Sequence, residues 1–203
     1  MRHVKRFGRV LPLLLVPGSL VGQVAEFSFS GGKSLLRNSK LTDFTQDGGA
    51  GTEVRLKDGF RFGFRITLNN WRFLGHEFGY AYSRTKLSFQ TQPEQVYGTA
   101  IHQGFYDMLA YATPEGSRVR PFAAGGGHFA NYLPPGLSVT SGGGETKFGF
   151  NYGGGIKVRV SSMFLVRFDV RQYHNPKPDF IPGPKPEGWI RQIEASAGFA
   201  LAL

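Results

Sequence analysis

The chain has 203 residues, of which 40% are hydrophobic; it contains 29 Gly, 19 Phe and no Cys, and its formal net charge is +10 at pH 7. That length suits one domain, and a mean hydropathy of −0.22, with no apolar run near the ~18 residues a spanning helix needs, excludes a helical membrane protein. Without Cys there is no disulfide, thiolate metal site, cysteine nucleophile or lipid-modified N-terminal Cys.

Residues 1–22 read as a secretory signal. Arg2, Lys5, Arg6 and Arg9 form a basic start, Val10 to Val16 an apolar stretch interrupted by Pro12, and Pro17, Gly18 and Ser19 a breaker. Cleavage is expected after Gly22 or after Ala25, which leaves 23–203 as the mature domain. Four basic and no acidic residues leave with the signal, so the mature charge is +6. An excess of that size suits solvated loops or anionic lipid head groups. No known module with a continuous basic face is present, so nucleic acid is not an expected partner.

From residue 24 onward the pattern alternates with period two, which marks strands. Strands are expected near 24–36, 58–68, 73–90, 96–112, 118–132, 147–160, 163–174 and 189–203. In the second, Phe60, Phe62, Phe64, Ile66 and Leu68 alternate with Arg61, Gly63, Arg65 and Thr67. In the sixth, Phe148, Phe150, Tyr152, Ile156 and Val158 alternate with Lys147, Asn151, Lys157 and Arg159, and in the seventh Phe164, Val166, Phe168 and Val170 alternate with Arg167, Asp169 and Arg171. The last sets Ile193, Ala195, Ala197, Phe199, Leu201 and Leu203 against Gln192, Glu194 and Ser196. The connections alternate in length. Long or medium ones fall at 37–52, 91–95, 133–144 and 175–188; short ones fall at 69–72, around Asn69-Asn70, at 113–117 and at 161–162.

Alternation alone does not distinguish a soluble sheet from a membrane one, because either face can be the buried one. The strands, however, are longer than the ~5–6 residues usual in soluble sheets. The export signal, the alternating connections and the apolar final residue agree with a membrane barrel. The expectation is an all-β fold, an eight-stranded antiparallel up-and-down transmembrane β-barrel with apolar rows facing lipid. Its polar rows would then form an interior charge network of Arg61, Arg65, Glu77, Arg159, Arg167, Asp169, Arg171 and Glu194, joined by Lys157 and Asp107. Eight strands leave an interior just wide enough for side chains, so this network is read as a structural filling rather than a pore lining. Trp71, Phe73, Tyr80, Tyr82, Tyr132 and Trp189, near strand ends, are expected to form interfacial girdles.

Other motifs carry less. Gly31-Gly32-Lys33-Ser34 lacks the earlier Gly of a phosphate loop, since position 27 is Phe. Gly125 to Gly127 and Gly153 to Gly155 suit crowding relief and strand bending. His76, His102, His128 and His174 show no metal-ligand spacing, so neither a metal nor a cofactor is expected.

The runs Arg118-Val119-Arg120-Pro121-Phe122-Ala123-Ala124-Gly125-Gly126-Gly127, Phe148 to Lys157, and Phe168-Asp169-Val170-Arg171-Gln172-Tyr173 resemble strands of the outer-membrane protein β-barrel domain family, over about residues 24–203. The resemblance implies a bacterial outer-membrane location, contact with outer-membrane lipid and lipopolysaccharide, and recognition of the C-terminal strand by the barrel-insertion machinery. It also implies a monomer and a non-catalytic envelope-structural or surface-interaction role. Many such barrels end in Phe, whereas this chain ends Phe199-Ala200-Leu201-Ala202-Leu203. Two alternatives stand beside this reading: a lipid A-modifying outer-membrane hydrolase and a secreted soluble ligand-binding barrel. In lipid A deacylases a Ser follows a His by two residues, whereas here Pro176 stands two after His174.

Overall fold

Residues that alternate between apolar and polar over more than ten positions can satisfy both environments only as strands, and among its described residues the computed structural model has eight strands of that length and one short strand of five residues. It describes residues 24–44, 51–137, 142–181 and 184–203; the expected signal segment 1–22 lies outside the described residues. In chain order the segments are β1 (Val24–Arg37), β2 (Lys40–Phe44), β3 (Thr52–Trp71), β4 (Leu74–Phe89), β5 (Gln95–Tyr111), β6 (Val119–Leu133), β7 (Glu145–Arg159), β8 (Phe164–Pro176) and β9 (Trp189–Ala202). Each pairs antiparallel with its sequence neighbour from β2 to β9, and β1 pairs with both β3 and β9, closing the sheet.

The nine segments make eight staves. β1 runs along β3 from Val24↔Asn69 to Ser34↔Gly59, and β2 continues along the same strand from Lys40↔Arg55 to Phe44↔Thr52. The interruption is Asn38, at φ 56°, followed by Ser39, whose carbonyl accepts from Leu56 N at 3.0 Å. Part of the expected 37–52 loop is therefore strand, and β3 begins at Thr52 rather than 58. The first turn also moves. Trp71 pairs with Leu74, so the turn is Arg72-Phe73. Asn69 points into the barrel, its Nδ2 2.9 Å from Glu26 Oε1. Polar residues that signal a turn in a soluble sheet here belong to the interior.

Short turns lie at one rim, together with the start of β1 and the end of β9; the strand ends joined by the long connections 45–51, 90–94, 134–144 and 177–188 lie at the other. Burial is inverted relative to a soluble protein. Phe62, Phe150 and Phe168 are 60%, 49% and 49% exposed, while Arg65 and Arg167 are fully buried. An apolar belt from Phe60 to Trp71 spans about 36 Å along the strand, or about 28 Å along the axis at a tilt of ~40°, which matches a hydrocarbon core. Trp71, Phe73 and Trp189 face outward near strand ends, as expected of girdles. Tyr132 does not: it is buried inside the barrel.

Three layers fill the interior. At the long-loop end an apolar plug gathers Leu36, Leu41, Val54, Leu56, Ile101, Tyr132 and Ile190, with Phe180 and Ile181 of the last long loop folded onto it. Charged side chains fill the middle. The short-turn end closes with Leu109, Tyr111 and Phe122, and with Leu165 against Ala200 and Ala202. The cylinder is tight enough that a Cβ at Gly126 would lie 1.9 Å from the Tyr106 carbonyl oxygen and 2.5 Å from Asp107 Oδ1. The Gly31-Gly32-Lys33-Ser34 run lies inside β1, so it cradles no phosphate.

Because Phe64 lies near the middle of the belt, Phe64→Arg is expected to cost about 2–4 kcal/mol in equilibrium unfolding from lipid bilayers. Phe64→Leu should cost far less. Equal effects would mean that this face does not meet hydrocarbon.

Candidate functional site

The inward positions of β3, β4, β8 and β9 bring together residues far apart in sequence. Glu77 is the hub. Its carboxylate lies 2.6 Å and 3.0 Å from Arg167 Nη1 and Nη2, 2.6 Å from Arg171 Nη2 and 3.5 Å from Arg65 Nε, and Thr67 Oγ1 donates to it at 2.8 Å. Asp169 accepts from Arg167 Nε at 2.6 Å and Nη2 at 2.8 Å, and from Arg171 at 3.2–3.3 Å. Arg171 also pairs with Asp107 on β5. Glu194 on β9 holds Arg65 Nη2 at 2.5 Å and lies 3.1 Å from Arg61 Nε; Tyr173 and Ser196 hydroxyls donate to it at 2.8 Å and 2.6 Å. The rings of Tyr173 and Phe105 line the same space under Arg61, Arg65 and Arg171.

A second centre lies nearer the short-turn rim. Lys157 pairs with Glu26 and donates to Tyr111 Oη at 2.9 Å. The guanidinium carbon of Arg120 sits 3.6 Å from the Tyr111 ring centroid. Among the described residues six buried cations, Arg61, Arg65, Arg120, Lys157, Arg167 and Arg171, face five buried carboxylates, Glu26, Glu77, Asp107, Asp169 and Glu194. Near-neutrality matters because one unpaired ion in such a medium costs several kcal/mol.

Of the residues expected in this network, Arg61, Arg65, Glu77, Arg167, Asp169, Arg171 and Glu194 converge. Arg159 does not. At the last position of β7 it is partly exposed and its Nη1 donates to the Ser162 carbonyl at 3.0 Å, at the turn into β8. Period-two counting gave it the right face but not its height. Glu26 and Arg120 were missed, although Glu26 shares its parity with the buried Ser28, Ser30 and Ser34. His128 was read only as a lone histidine; its Nε2 lies 2.7 Å from Asn175 Oδ1 and its ring meets Tyr173 edge-on at 5.1 Å.

Chemically the arrangement holds charge in place. Inside the barrel Ser30 and Ser83 accept from arginines, Ser34 accepts from Gln192 and Ser196 donates to Glu194, and no Ser–His hydrogen bond forms among the described residues. His174 faces outward and stacks on Phe150, centroids 4.7 Å apart, with Gln172 at 2.7 Å. Among the described residues no group of three or more His, Asp or Glu is arranged to hold a metal ion.

No protein-family model and no curated protein matches the chain. Solved structures do. The outer-membrane protein OprG of Pseudomonas aeruginosa superposes with a TM-score of 0.61 at 13% identity, over 89% of this chain and 97% of that one. Neisserial surface protein A gives 0.57 at 11% identity, over 88% and 96%, and the N-terminal barrel domain of P. aeruginosa OprF 0.52 at 12%, over 89% and 98%. At these identities the likeness speaks for the fold alone: an eight-staved barrel of the kind found in bacterial outer membranes.

Removing one member of a buried pair typically costs ~3–5 kcal/mol, because it strands the other charge. Glu77→Ala and Asp169→Ala are each expected to fall in that range in detergent unfolding. Glu187→Ala, at an exposed position of the 177–188 connection, should stay within about 0.5 kcal/mol. An unchanged midpoint for both interior variants would mean that the network does not hold the barrel together.

Proposed function

We propose that the protein is a non-catalytic barrel of the bacterial outer membrane that works through its outer surface and as part of the envelope's structure. The observation that carries this is the layered filling of the barrel: the apolar plug, the charge network and the lower apolar floor leave the staves as a rigid mount for the long connections. Channel activity is disfavoured by the same filling, since any permeating ion would have to displace paired arginines and carboxylates.

The exposed Phe62, Phe64, Phe148 and Phe168 argue against a secreted soluble barrel, whose surface would not carry a contiguous apolar belt of this size. A lipid A hydrolase needs an activated hydroxyl beside a base. His174, the residue that would supply the base, is instead stacked on Phe150 and Tyr152. The outward row Phe199, Leu201 and Leu203 at the end of β9 suits the barrel-insertion machinery as partner. The closed ring needs no second copy, which supports a monomer.

Native protein expressed in a Gram-negative host is expected to fractionate with the outer membrane, and to migrate faster unheated than heated on a detergent gel. Lipid A isolated from those cells should keep its acyl count by mass spectrometry, and planar bilayers should show no ohmic channel. A soluble pool, a lost acyl chain or a stable conductance would each overturn one part of the proposal.

A further inference from the structure

On the outer half of the barrel the lipid-facing surface changes character at one point. Below it the outward residues of β3 are Phe60, Phe62, Phe64, Ile66 and Leu68. At Asp58-Gly59 the pairing passes from Phe60↔Arg84 to Lys57↔Lys86, so two residues of β3 stand opposite Thr85 alone. Such a bulge reverses the alternation. Above it Arg55 and Lys57 turn outward, and Val54 and Leu56 turn into the plug. Gly59 permits the close approach: a Cβ there would lie 2.0 Å from the Arg84 carbonyl oxygen. Asp58 anchors the bulge from the other side, its Oδ1 accepting from Leu36 N at 2.6 Å.

The reversal places like charges together. Lys57 and Lys86 are directly opposed across the ladder, and Arg84 stands on the same face of β4. Opposed like charges destabilise a sheet unless something neutralises them. Glu94 takes Lys57 at 2.6 Å, and Glu53 takes Arg55. The Lys57 hydrogen bond pulls the Glu94 carboxyl down to about 2, so it is ionised under any ordinary condition. Among the described residues Arg84 and Lys86 have no carboxylate within ion-pair distance. Arg55, Lys57, Asp58, Phe60, Arg84 and Lys86 line an open groove of about 950 Å³.

We propose that this groove seats the phosphate-bearing headgroup of an outer-leaflet glycolipid of the lipid A class. The inference rests on the outer-membrane reading above. Arg84 and Lys86 supply the uncompensated charge, with Arg84 offering the planar fork that matches a phosphate. The apolar surface beginning at Phe60 continues directly below, where the acyl chains of the same molecule lie. A soluble anion would use the cations but not that surface, so the order of charge above grease selects an amphiphile.

The test uses full-length protein in a zwitterionic detergent, titrated with bis-phosphorylated lipid A and, separately, with phosphatidylglycerol, and read by native mass spectrometry. Preferential binding of lipid A is expected, and this comparison needs no variant. Arg84→Gln combined with Lys86→Gln should weaken it by about tenfold or more, while Arg72→Gln with Arg118→Gln on the opposite rim should leave it unchanged. Equal affinity for phosphatidylglycerol, displacement by inorganic phosphate at equal concentration, or an unaltered double variant would overturn the proposal. Protein that fractionates with the outer membrane but gives one of those results refutes this site alone; protein recovered as a soluble pool removes the premise as well.

Discussion

Charge compensation inside a narrow, dehydrated cylinder is the constraint on which this barrel depends. At mid-height the apolar side chains of the staves face lipid, so the interior between the apolar plug and floor is filled with what remains: arginines, one lysine and acidic residues. That filling is stable only because nearly every ion has a counter-ion within hydrogen-bond reach. Glu77 joins three arginines from β3 and β8, Asp169 ties two of the same arginines, and Glu194 ties Arg61 and Arg65 to the last strand. The Asp169 links run along β8, but those of Glu77 to Arg167 and Arg171 cross the lumen from β4 to β8, so they fix opposite staves to each other, a task the core performs in a soluble sandwich.

Most of this follows from a single periodicity. In β3, β7, β8 and β9 bulky apolar residues alternate cleanly with charged or small ones, so the eight staves, their inward faces and seven members of the network can be read from residue parity. The exceptions share a cause. Asn69 and Asn70 look like a turn because soluble sheets place such residues in water, yet Asn69 is an interior partner of Glu26. Tyr132 looks like a girdle residue because it falls near a strand end, yet its parity places it in the plug. Arg159 has interior parity but sits at the last position of its strand. Parity assigns a face; height along the axis depends on register, which sequence alternation does not carry.

The β1–β2 interruption and the bulge at Asp58-Gly59 were not legible for a related reason. A break in one stave, with the inward Leu36 and Leu41 five residues apart, or a two-for-one pairing in its neighbour, leaves the local alternation intact on each side and only changes its phase. The phase change appears in the sequence as an abrupt swap, from Phe60 and Phe62 facing outward to Arg55 and Lys57 doing so. Without the partner strand, that swap cannot be separated from the end of the strand. Gly59 is the one local sign, because the contact with the Arg84 carbonyl leaves no room for a side chain.

The pairing of β1 with β9 bears on assembly. Twelve residues of β1, from Glu26 to Arg37, take their partners from Arg191 to Ala202, the longest separation in sequence of any pair of neighbouring staves. Until the last stave is in place one margin of the first therefore stays open, and an open margin of this length invites pairing with another chain. Closure depends on the most distant contact and so comes at a high entropic cost of loop formation. The order of events is thereby constrained: the intermediate staves can zip by local hairpins, but the ring is sealed only when the two extremes of the sheet meet.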